Sequence, residues 1–377
     1  MAKLPSGITQ RKDGLYVGRF QYQGVRYNVT DQDMKKCADK LEKMKYEIKN
    51  GIYCKESLVT VDSWFHTWIE EYKEPTVKQG TVEIYRYVYK EYIKKSLGSR
   101  KLKDVRSEMI QRLYNTLKKR GLAKSTIELV NKTLRGMFEQ AYKNDLITKN
   151  PVKSTTIPKA REGKGARAMK LEEQELFMEY AKNSDIYDIC ELFLSTGLRS
   201  GELRGLEWQD IDFKNKLIHV TGTLCQSAET GWRKDTPKSK TSRRDIPMLG
   251  NVERLLKRVK RQQMERKLYL GEKWQPLKGF ENLVFTNPFG YPMAPKTLSS
   301  KIDKIQAQIV KDGHEFERIT PHSFRHTFAT RCIENGMTPQ VLKTILGHGS
   351  LAMTMDLYAH VLPDTKAEEM QKIASLF

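Results

Sequence analysis

The sequence predicts a mainly α-helical protein with small β elements. Three observations predict this fold class. Apolar residues recur at helical spacing through most of the chain, three short β-prone segments open it, and one further β-prone pair interrupts its last part. The chain has 377 residues, more than one average domain. We therefore expect an N-terminal three-stranded sheet plus helix, then a helical bundle, then a mixed, mostly α-helical domain with a β-hairpin.

The composition restricts the partners and the compartment. The net charge is +21 and the pI is about 9.6, which indicates a polyanionic partner, most often nucleic acid. No stretch approaches the roughly 18 apolar residues of a membrane span, and the opening segment MAKLPSGITQ lacks the apolar core of a signal peptide. The 5 cysteines are scattered without CxxC pairs. We therefore expect a cytoplasmic protein without disulfides or a zinc site.

Residues 1–56 form the first predicted module. Two turn signals, Asp13-Gly14 and Gln23-Gly24, separate β-prone segments at residues 8–11, 15–22 and 25–30. Asp31 or Asp33 can cap a helix that follows and runs towards Asn50.

One face of this sheet is predicted to pack on the helix, and the other carries side chains able to bind DNA. Strand alternation puts Tyr16, Gly18 and Phe20 on one face. The other face offers groups that can hydrogen-bond to base edges or phosphates, namely Arg19, Gln21, Arg26 and Asn28. A solvated outer sheet face carries the same residue types, so the pattern alone leaves both interpretations open.

Residues 57–156 are predicted to form a basic helical bundle. Apolar and aromatic residues fall at helical spacing in four segments, as expected for a core. The third helix is predicted from Ser107 to Arg120, and a capping box from Ser125 to Glu128 is predicted to open the fourth. The candidate phosphate contacts are Lys94, Lys95, Lys124, Lys132 and Arg135. Residues 157–166 have linker composition.

Residues 167–377 carry the groups suited to chemistry. In Thr-Gly-Leu-Arg-Ser-Gly-Glu-Leu, Arg199 lies at a turn into a helix and Glu202 follows three positions later, where it can pair with the helix start or a basic neighbour. Residues 217–223 and 243–248 are β-prone partners, and the polar excursion between them contains Lys240. A lysine in such a segment is most often surface charge.

A second constellation follows near the C-terminus. His322, Arg325 and His326 have i, i+3, i+4 spacing, so they share one face of a helix that Thr320 and Pro321 can begin. A further short helix is predicted to end at Gly347, which places His348 on a turn, and Tyr358 follows on another short helix. No His-Glu-x-x-His motif is present, and no acidic cluster adjoins these histidines. The pattern indicates phosphoryl transfer without a metal.

The order of these motifs resembles the tyrosine recombinase, or integrase, family over the whole chain, most closely the integrases of conjugative transposons and temperate phages of Gram-positive bacteria. The resemblance implies that residues 1–56 bind arm-type DNA sites, residues 57–156 bind core sites and residues 167–377 are catalytic. It also implies a catalytic set of Arg199, Lys240, His322, Arg325, His348 and the nucleophile Tyr358.

The same resemblance implies the reaction and the partners. Tyr358 would form a 3′-phosphotyrosyl link that a second strand reverses, without cofactor, metal or ATP, to integrate and excise a mobile element. The partners would be double-stranded DNA with core and arm attachment sites, a homo-tetramer on that DNA, an excisionase and a host DNA-bending protein, in the bacterial cytoplasm at the nucleoid. An apolar tail at 364–377 would dock on a neighbouring protomer. The alternatives are a type IB topoisomerase and a catalytically silent DNA-binding regulator.

Overall fold

The computed structural model describes residues 5–49, 59–162, 165–227, 229–235 and 243–361. The chain divides into two compact units, Met1–Lys164 and Gly165–Phe377, with the division inside the stretch expected to be a linker. Within that stretch, Ile157 and Ala160 pack against the helical bundle of the first unit. The predicted fold class, mainly α with small β elements, is confirmed.

The N-terminal sheet forms as predicted. Its antiparallel strands pair in sequence order, and they are β1 (Ile8–Gln10), β2 (Tyr16–Tyr22) and β3 (Val25–Asp31), followed by helix α1 (Met34–Lys49). Gln23 and Gly24 both have positive φ, 45° and 83°, which suits the tight turn between β2 and β3. Asp33 is the helix cap, because its Oδ1 accepts the N–H of Lys36 at 2.9 Å.

The small core of this region lies between the sheet and α1. Ile8, Cys37 and Leu41 are buried there, and Phe20 packs against them. Gly18 allows the close approach of the helix, since a Cβ at this position would lie 2.9 Å from Val29 and 3.1 Å from Leu41. The helix-facing side of the sheet is therefore the one the alternation predicted.

The helical bundle of the first unit has four long helical segments, of which two depart from regular α geometry. Its α-helices are α2 (Val61–Thr67), α3 (Gln79–Val88), α4 (Lys94–Leu97), α5 (Ser107–Lys119) and α6 (Lys124–Lys143). π-helical turns at Trp68–Lys73 and Tyr89–Ile93 extend α2 and join α3 to α4. These turns were not predicted.

The predicted capping box at Ser125 is wrong. Helix α6 begins at Lys124, with Ala123 as its N-cap residue and no side-chain cap. The backbone N–H of Lys124 instead donates to the carbonyl of Arg161 at 2.9 Å. A distant backbone carbonyl thus satisfies the first N–H donor of the helix.

The second unit is mostly helical, with one small sheet and one hairpin. Its helices are α7 (Leu171–Ala181), α8 (Tyr187–Thr196), α9 (Ser200–Arg204), α10 (Gly250–Leu270), α11 (Pro295–Lys311), α12 (Pro321–Glu334), α13 (Pro339–Leu346) and α14 (Ala352–Val361). Its strands are β4 (Ile211–Asp212), β5 (Leu217–Val220), β6 (Thr223–Ser227), β7 (Gly231–Asp235) and β8 (Arg244–Pro247). The predicted β5–β8 partnership is confirmed, since these strands pair antiparallel, and β6 and β7 form the hairpin.

Helices α8 and α12 lie at the centre of this unit. Phe324 of α12 is fully buried, and its ring contacts Phe193 of α8 and Phe177 of α7, with centroids 5.7 and 5.4 Å apart. This packing fixes α12 against the end of α8, next to the turn that carries Arg199. Within the described ranges, no helix is both long and apolar enough to cross a bilayer.

Candidate active site

Helix α12 places two predicted site residues, His322 and Arg325, along one cavity, with His326 beside them. Thr320 precedes the helix, and its N–H donates to Ser323 Oγ at 3.1 Å, while Pro321 takes the first helical position. His322, Arg325 and His326 line a cavity of about 330 Å³, together with His348. Their i, i+3, i+4 spacing thus brings them to one place, and the two histidine rings of α12 meet edge to face with centroids 4.9 Å apart.

The end of α13 is the point at which three arginines meet. Gly347 ends the helix in the left-handed conformation, φ 65°, as the glycine predicted. Three successive carbonyls there each accept a hydrogen bond from a different guanidinium: Ile345 from Arg244 at 2.5 Å, Leu346 from Arg325 at 2.7 Å and Gly347 from Arg199 at 2.9 Å. Carbonyls at a helix C-terminus lack partners within the helix and carry partial negative charge, so cations are favoured there.

Arg199 is held from two sides. Its Nη1 donates to Glu202 Oε1 at 2.7 Å, and its backbone N–H donates to Glu202 Oε2 at 2.9 Å, which also caps helix α9. Burial alone would raise the pKa of Glu202, but hydrogen bonds and charge from Arg244 and Arg199 outweigh it and leave that pKa below its ordinary value. Glu202 is therefore an anion that orients Arg199, in the place the sequence predicted for it.

Arg325 is almost completely buried, with 4% of its surface exposed. Its Nη1 donates to the carbonyl of Gly197 at 2.9 Å, and its Nη2 donates to Leu346. Burial and the neighbouring Arg199 lower the pKa of Arg325 to about 9, so the group is still charged at neutral pH. Two of its five N–H groups are used by these carbonyls, which leaves donors for an anionic ligand.

The histidines of the cavity are neutral at pH 7. His348 is buried, its Nδ1 lies 2.9 Å from Thr354 Oγ1, and burial followed by the charge of Arg325 lowers its pKa to about 4. The pKa of His322 is also lowered to about 4, first by partial burial and then by the neighbouring His326 and Arg325. The residue nevertheless remains exposed to solvent. A neutral imidazole can accept a proton, and the Thr354 contact leaves Nε2 of His348 as the nitrogen for a substrate.

Tyr358 lies apart from the arginine cluster. It belongs to α14, and its hydroxyl donates to the carbonyl of Met337, beyond the C-terminal end of α12. The ring packs against a small core that includes Ala329, Ile333 and Leu342. Burial and the neighbouring Cys332 raise the pKa of Tyr358. The structure thus brings together Arg199, Arg325, His322 and His348, but it does not bring the predicted nucleophile to them.

Two further predictions fall outside the described residues. Lys240 lies between β7 and β8, and the tail at 364–377 follows α14. Strand β7, which leads towards Lys240, is anchored by Lys234, whose Nζ lies 2.6 Å from Glu207 Oε2 and 3.3 Å from Asp210 Oδ2.

The predicted DNA-binding residues of the first unit are at its surface. On the N-terminal sheet, Arg19 pairs directly across from Asn28, and Gln21 across from Arg26, and all four are exposed. In the bundle, Lys94 lies 3.2 Å from Asp62 and Lys124 lies 3.6 Å from Glu162. The remaining candidates, Lys95, Lys132 and Arg135, are exposed.

Sequence reasoning missed Arg244. It is buried on β8, and its Nη1 and Nη2 donate to the two oxygens of Glu202 at 3.1 and 2.9 Å. The signal was strand alternation. Residues of β8 alternate between buried and exposed, so Arg244 shares the inward face with Ile246. Among the described residues, no group of three or more His, Cys, Asp or Glu side chains is arranged so that it could hold a metal ion.

Comparisons with known proteins bear on the same regions. Residues 167–364 match the model of the phage integrase family, and residues 60–118 match that of the phage integrase N-terminal SAM-like domain. The chain is 31% identical to a XerC-like tyrosine recombinase of Caldanaerobacter subterraneus subsp. tengcongensis, over 94% of this chain and 92% of that protein. It is 27% identical to the transposase from transposon Tn916 of Enterococcus faecalis, over 98% of this chain and 94% of that protein.

Solved structures agree in fold. The Tn1549 transposon integrase, solved in complex with transposon right end DNA, superposes with a TM-score of 0.73 at 28% identity, covering 84% of this chain and all of that one. A lambda integrase tetramer bound to a Holliday junction is similar in fold alone, with a TM-score of 0.58 at 21% identity, covering 95% of this chain and 96% of that one. The chain therefore belongs to the phage integrase family and is a tyrosine site-specific recombinase.

Proposed function

We propose that this recombinase integrates and excises a mobile genetic element by cutting and rejoining DNA through Tyr358. The observation that supports the site is the convergence of Arg199, Arg325, His322 and His348 at the end of α13, with both guanidiniums already oriented by protein groups. In this proposal residues 1–56 bind arm sites, residues 57–156 bind core sites, and residues 167–377 carry the chemistry.

The two arginines bind the scissile phosphate. Attack on a phosphodiester concentrates negative charge on the non-bridging oxygens. Arg199 and Arg325 each keep N–H donors beyond those used by the protein, and a planar guanidinium can donate two of them to one anion. Because their positions are set before DNA binds, little reorganisation accompanies the reaction.

The histidines and Lys240 move protons in this proposal. A tyrosine has an ordinary pKa near 10, so the Tyr358 hydroxyl must lose its proton as it attacks phosphorus. His322, neutral at pH 7, accepts that proton, and His348 hydrogen-bonds to the phosphate. Lys240 protonates the departing 5′-oxygen. The products are a 3′-phosphotyrosyl link and a free 5′-hydroxyl, and attack by the 5′-hydroxyl of another strand reverses the step without ATP.

Tyr358 must move before it can react. Its hydroxyl is engaged with the carbonyl of Met337, and α14 is joined to His348 by only a short connection. Breaking that hydrogen bond and shifting α14 would free the nucleophile for the phosphate. We assign this shift to assembly on DNA, in which the tail at 364–377 docks on a neighbouring protomer of a homo-tetramer.

The remaining partners follow from this reaction. The surplus of positive charge, +21, suits double-stranded DNA as the substrate. Choosing between integration and excision calls for an excisionase and a host DNA-bending protein. The site of action in this proposal is the bacterial nucleoid, in the cytoplasm.

A covalent adduct tests the proposal. The full chain is incubated with a nicked duplex that carries the end sequence of its element, and denaturing gels are used to detect a protein–DNA adduct. Tyr358→Phe should abolish the adduct while leaving DNA binding near wild type. Tyr187→Phe, a half-buried tyrosine of the same unit, is the matched control and should retain it. An adduct that survives Tyr358→Phe would exclude Tyr358 as the nucleophile.

A further inference from the structure

Arg244 is the arginine of the cluster that the proposed mechanism leaves unused. Its side chain is 3% exposed, less than the 35% of Arg199, so it is set back from solvent and substrate. It donates through Nη1 and Nη2 to both oxygens of Glu202 and through Nε to the carbonyl of Ile345. It therefore ties strand β8, helix α9 and the end of α13 to one another.

The charge of Arg244 matters because it helps to balance the negative charge of Glu202. This carboxylate, 4% exposed, is shared by Arg199 and Arg244. Arg199, Arg244 and Arg325 contribute three positive charges and Glu202 one negative charge, so the cluster carries 3 − 1 = +2. Without Arg244 the same carboxylate would be paired with Arg199 alone, and the cluster would fall to 2 − 1 = +1. Water screens such buried charges weakly, so the loss acts directly on a bound phosphate.

We propose that Arg244 is a positioning residue for DNA cleavage. It neutralises Glu202 and fixes the carbonyls from Ile345 to Gly347, so that Arg199 keeps both its orientation and its charge for the scissile phosphate. This inference rests on the proposed function, because it assumes that the cluster binds that phosphate. Arg244 itself does not touch the reacting atoms.

A simpler interpretation is that Arg244 only stabilises the fold. A buried ion pair that loses one partner destabilises a protein whether or not it serves catalysis. The two interpretations differ in what happens when Glu202 is also neutralised. Arg244→Gln leaves a charge of +1, whereas Arg244→Gln with Glu202→Gln returns the cluster to +2, and the two amides can hydrogen-bond to each other.

The first experiment measures single-turnover cleavage of the nicked element-end duplex by the full chain. Arg244→Gln should cleave about 10²-fold more slowly, the size of effect that follows from misplacing a catalytic group. Adding Glu202→Gln should recover most of that loss. A double variant no faster than Arg244→Gln would overturn the proposal. Arg244→Lys keeps the charge and should exceed Arg244→Gln; equal rates for the two would also overturn it.

The second experiment removes the charge of the substrate. A methylphosphonate at the scissile position replaces one charged oxygen with a methyl group, so phosphate charge no longer has to be balanced. The deficit of Arg244→Gln relative to wild type should shrink at least tenfold on this substrate. An unchanged deficit would mean that Arg244 acts through the fold alone. If Arg244→Gln fails to fold, Arg244→Gln with Glu202→Gln, whose cluster keeps a charge of +2, is compared with wild type on the phosphodiester. It should recover most of the expected loss, and a folded double variant that still cleaves about 10²-fold more slowly than wild type would overturn the proposal.

Arg204 is the matched control. It is also a buried arginine of this unit, and it donates to the carbonyls of Met293 and Leu224 at 2.9 and 3.1 Å. Arg204→Gln should lower the melting temperature. Any cleavage deficit of this variant should be neither rescued by Glu202→Gln nor reduced on the methylphosphonate substrate. If wild type itself forms no adduct, the proposed function fails. If wild type reacts and Arg244→Gln matches it, only this inference fails.

Discussion

The two ends of helix α12 differ in whether the predicted catalytic groups lie together. Near its beginning, Arg325 is buried and bonded to two carbonyls, next to Arg199 and His348. Just beyond its end, the carbonyl of Met337 accepts a hydrogen bond from Tyr358. The groups proposed to bind the phosphate thus lie together, while the proposed nucleophile is held against a different part of the same helix.

This difference shows where control of the reaction can reside. The arginines are held by carbonyls at the ends of α8 and α13, so their side chains are already oriented without DNA. Tyr358 depends on one hydrogen bond and on packing against the small core around Ile333. One described hydrogen bond holds the Tyr358 side chain, whereas two hold the side chain of each of Arg199 and Arg325, so under the proposed function assembly on DNA would act on the tyrosine.

The largest expected loss of cleavage in this comparison comes from a change beside Arg325, at the beginning of α12. Arg199→Lys keeps the positive charge but cannot donate to Glu202, Gly347 and a phosphate in the same fork geometry. Single-turnover cleavage of the nicked duplex should fall by about 10² to 10³-fold, the usual cost of removing one donor to a developing oxyanion. DNA binding, measured by fluorescence anisotropy, should change little. Retained cleavage would show that charge without geometry is enough.

A second prediction concerns pH and the buried His348. Its pKa of about 4 in the folded unit lies below the unfolded value near 6.5, so the unfolded chain binds the proton more readily. The contribution of neutral His348 to the free energy of unfolding, on the order of 3 kcal/mol, is fully present above pH 6.5 and is lost as the pH falls towards 4. Urea unfolding of wild type and His348→Asn across this pH range isolates the contribution. Parallel pH profiles for the two proteins would refute it.

A smaller effect is expected at the other end of α12. Tyr358→Phe keeps the ring in its packing but removes the donor to the Met337 carbonyl. The free energy of unfolding should fall by about 1 kcal/mol, the usual net value of one hydrogen bond. Urea denaturation of the DNA-free protein provides the measurement. Wild-type stability in this variant would indicate that the hydroxyl is not held at Met337 in solution.

The local features of this arrangement could be predicted from the sequence, and the long-range contacts could not. His322, Arg325 and His326 follow from helical spacing, and Gly347 from its left-handed turn, because both depend on neighbouring residues. The bond from Tyr358 to Met337 and the bonds from Arg244 to Glu202 join residues far apart in sequence, so only the folded chain sets them. The predicted capping box failed because the helix already begins at Lys124, which puts Ser125 inside it, and the Lys124 N–H donates to the distant carbonyl of Arg161.

The smallest expected effect contrasts the buried arginines with exposed ones. Arg26 lies opposite Gln21 on the free face of the N-terminal sheet, where water and salt screen its charge. If this face binds arm DNA, Arg26→Gln should reduce the slope of log affinity against log salt by about 1, the contribution of one phosphate contact. Binding is measured by anisotropy on a long duplex that includes the DNA flanking the element end.

Lys35→Gln on helix α1 is the control, because it removes the same charge from an exposed position of the same module. It should leave the slope unchanged, and neither variant should alter cleavage of a short core duplex. Equal slopes for wild type and Arg26→Gln would mean that the polar sheet face is only solvated. Equal reductions in both variants would mean that total charge, and not the paired rows of β2 and β3, determines binding. Only a loss confined to Arg26 makes this face a DNA-binding surface.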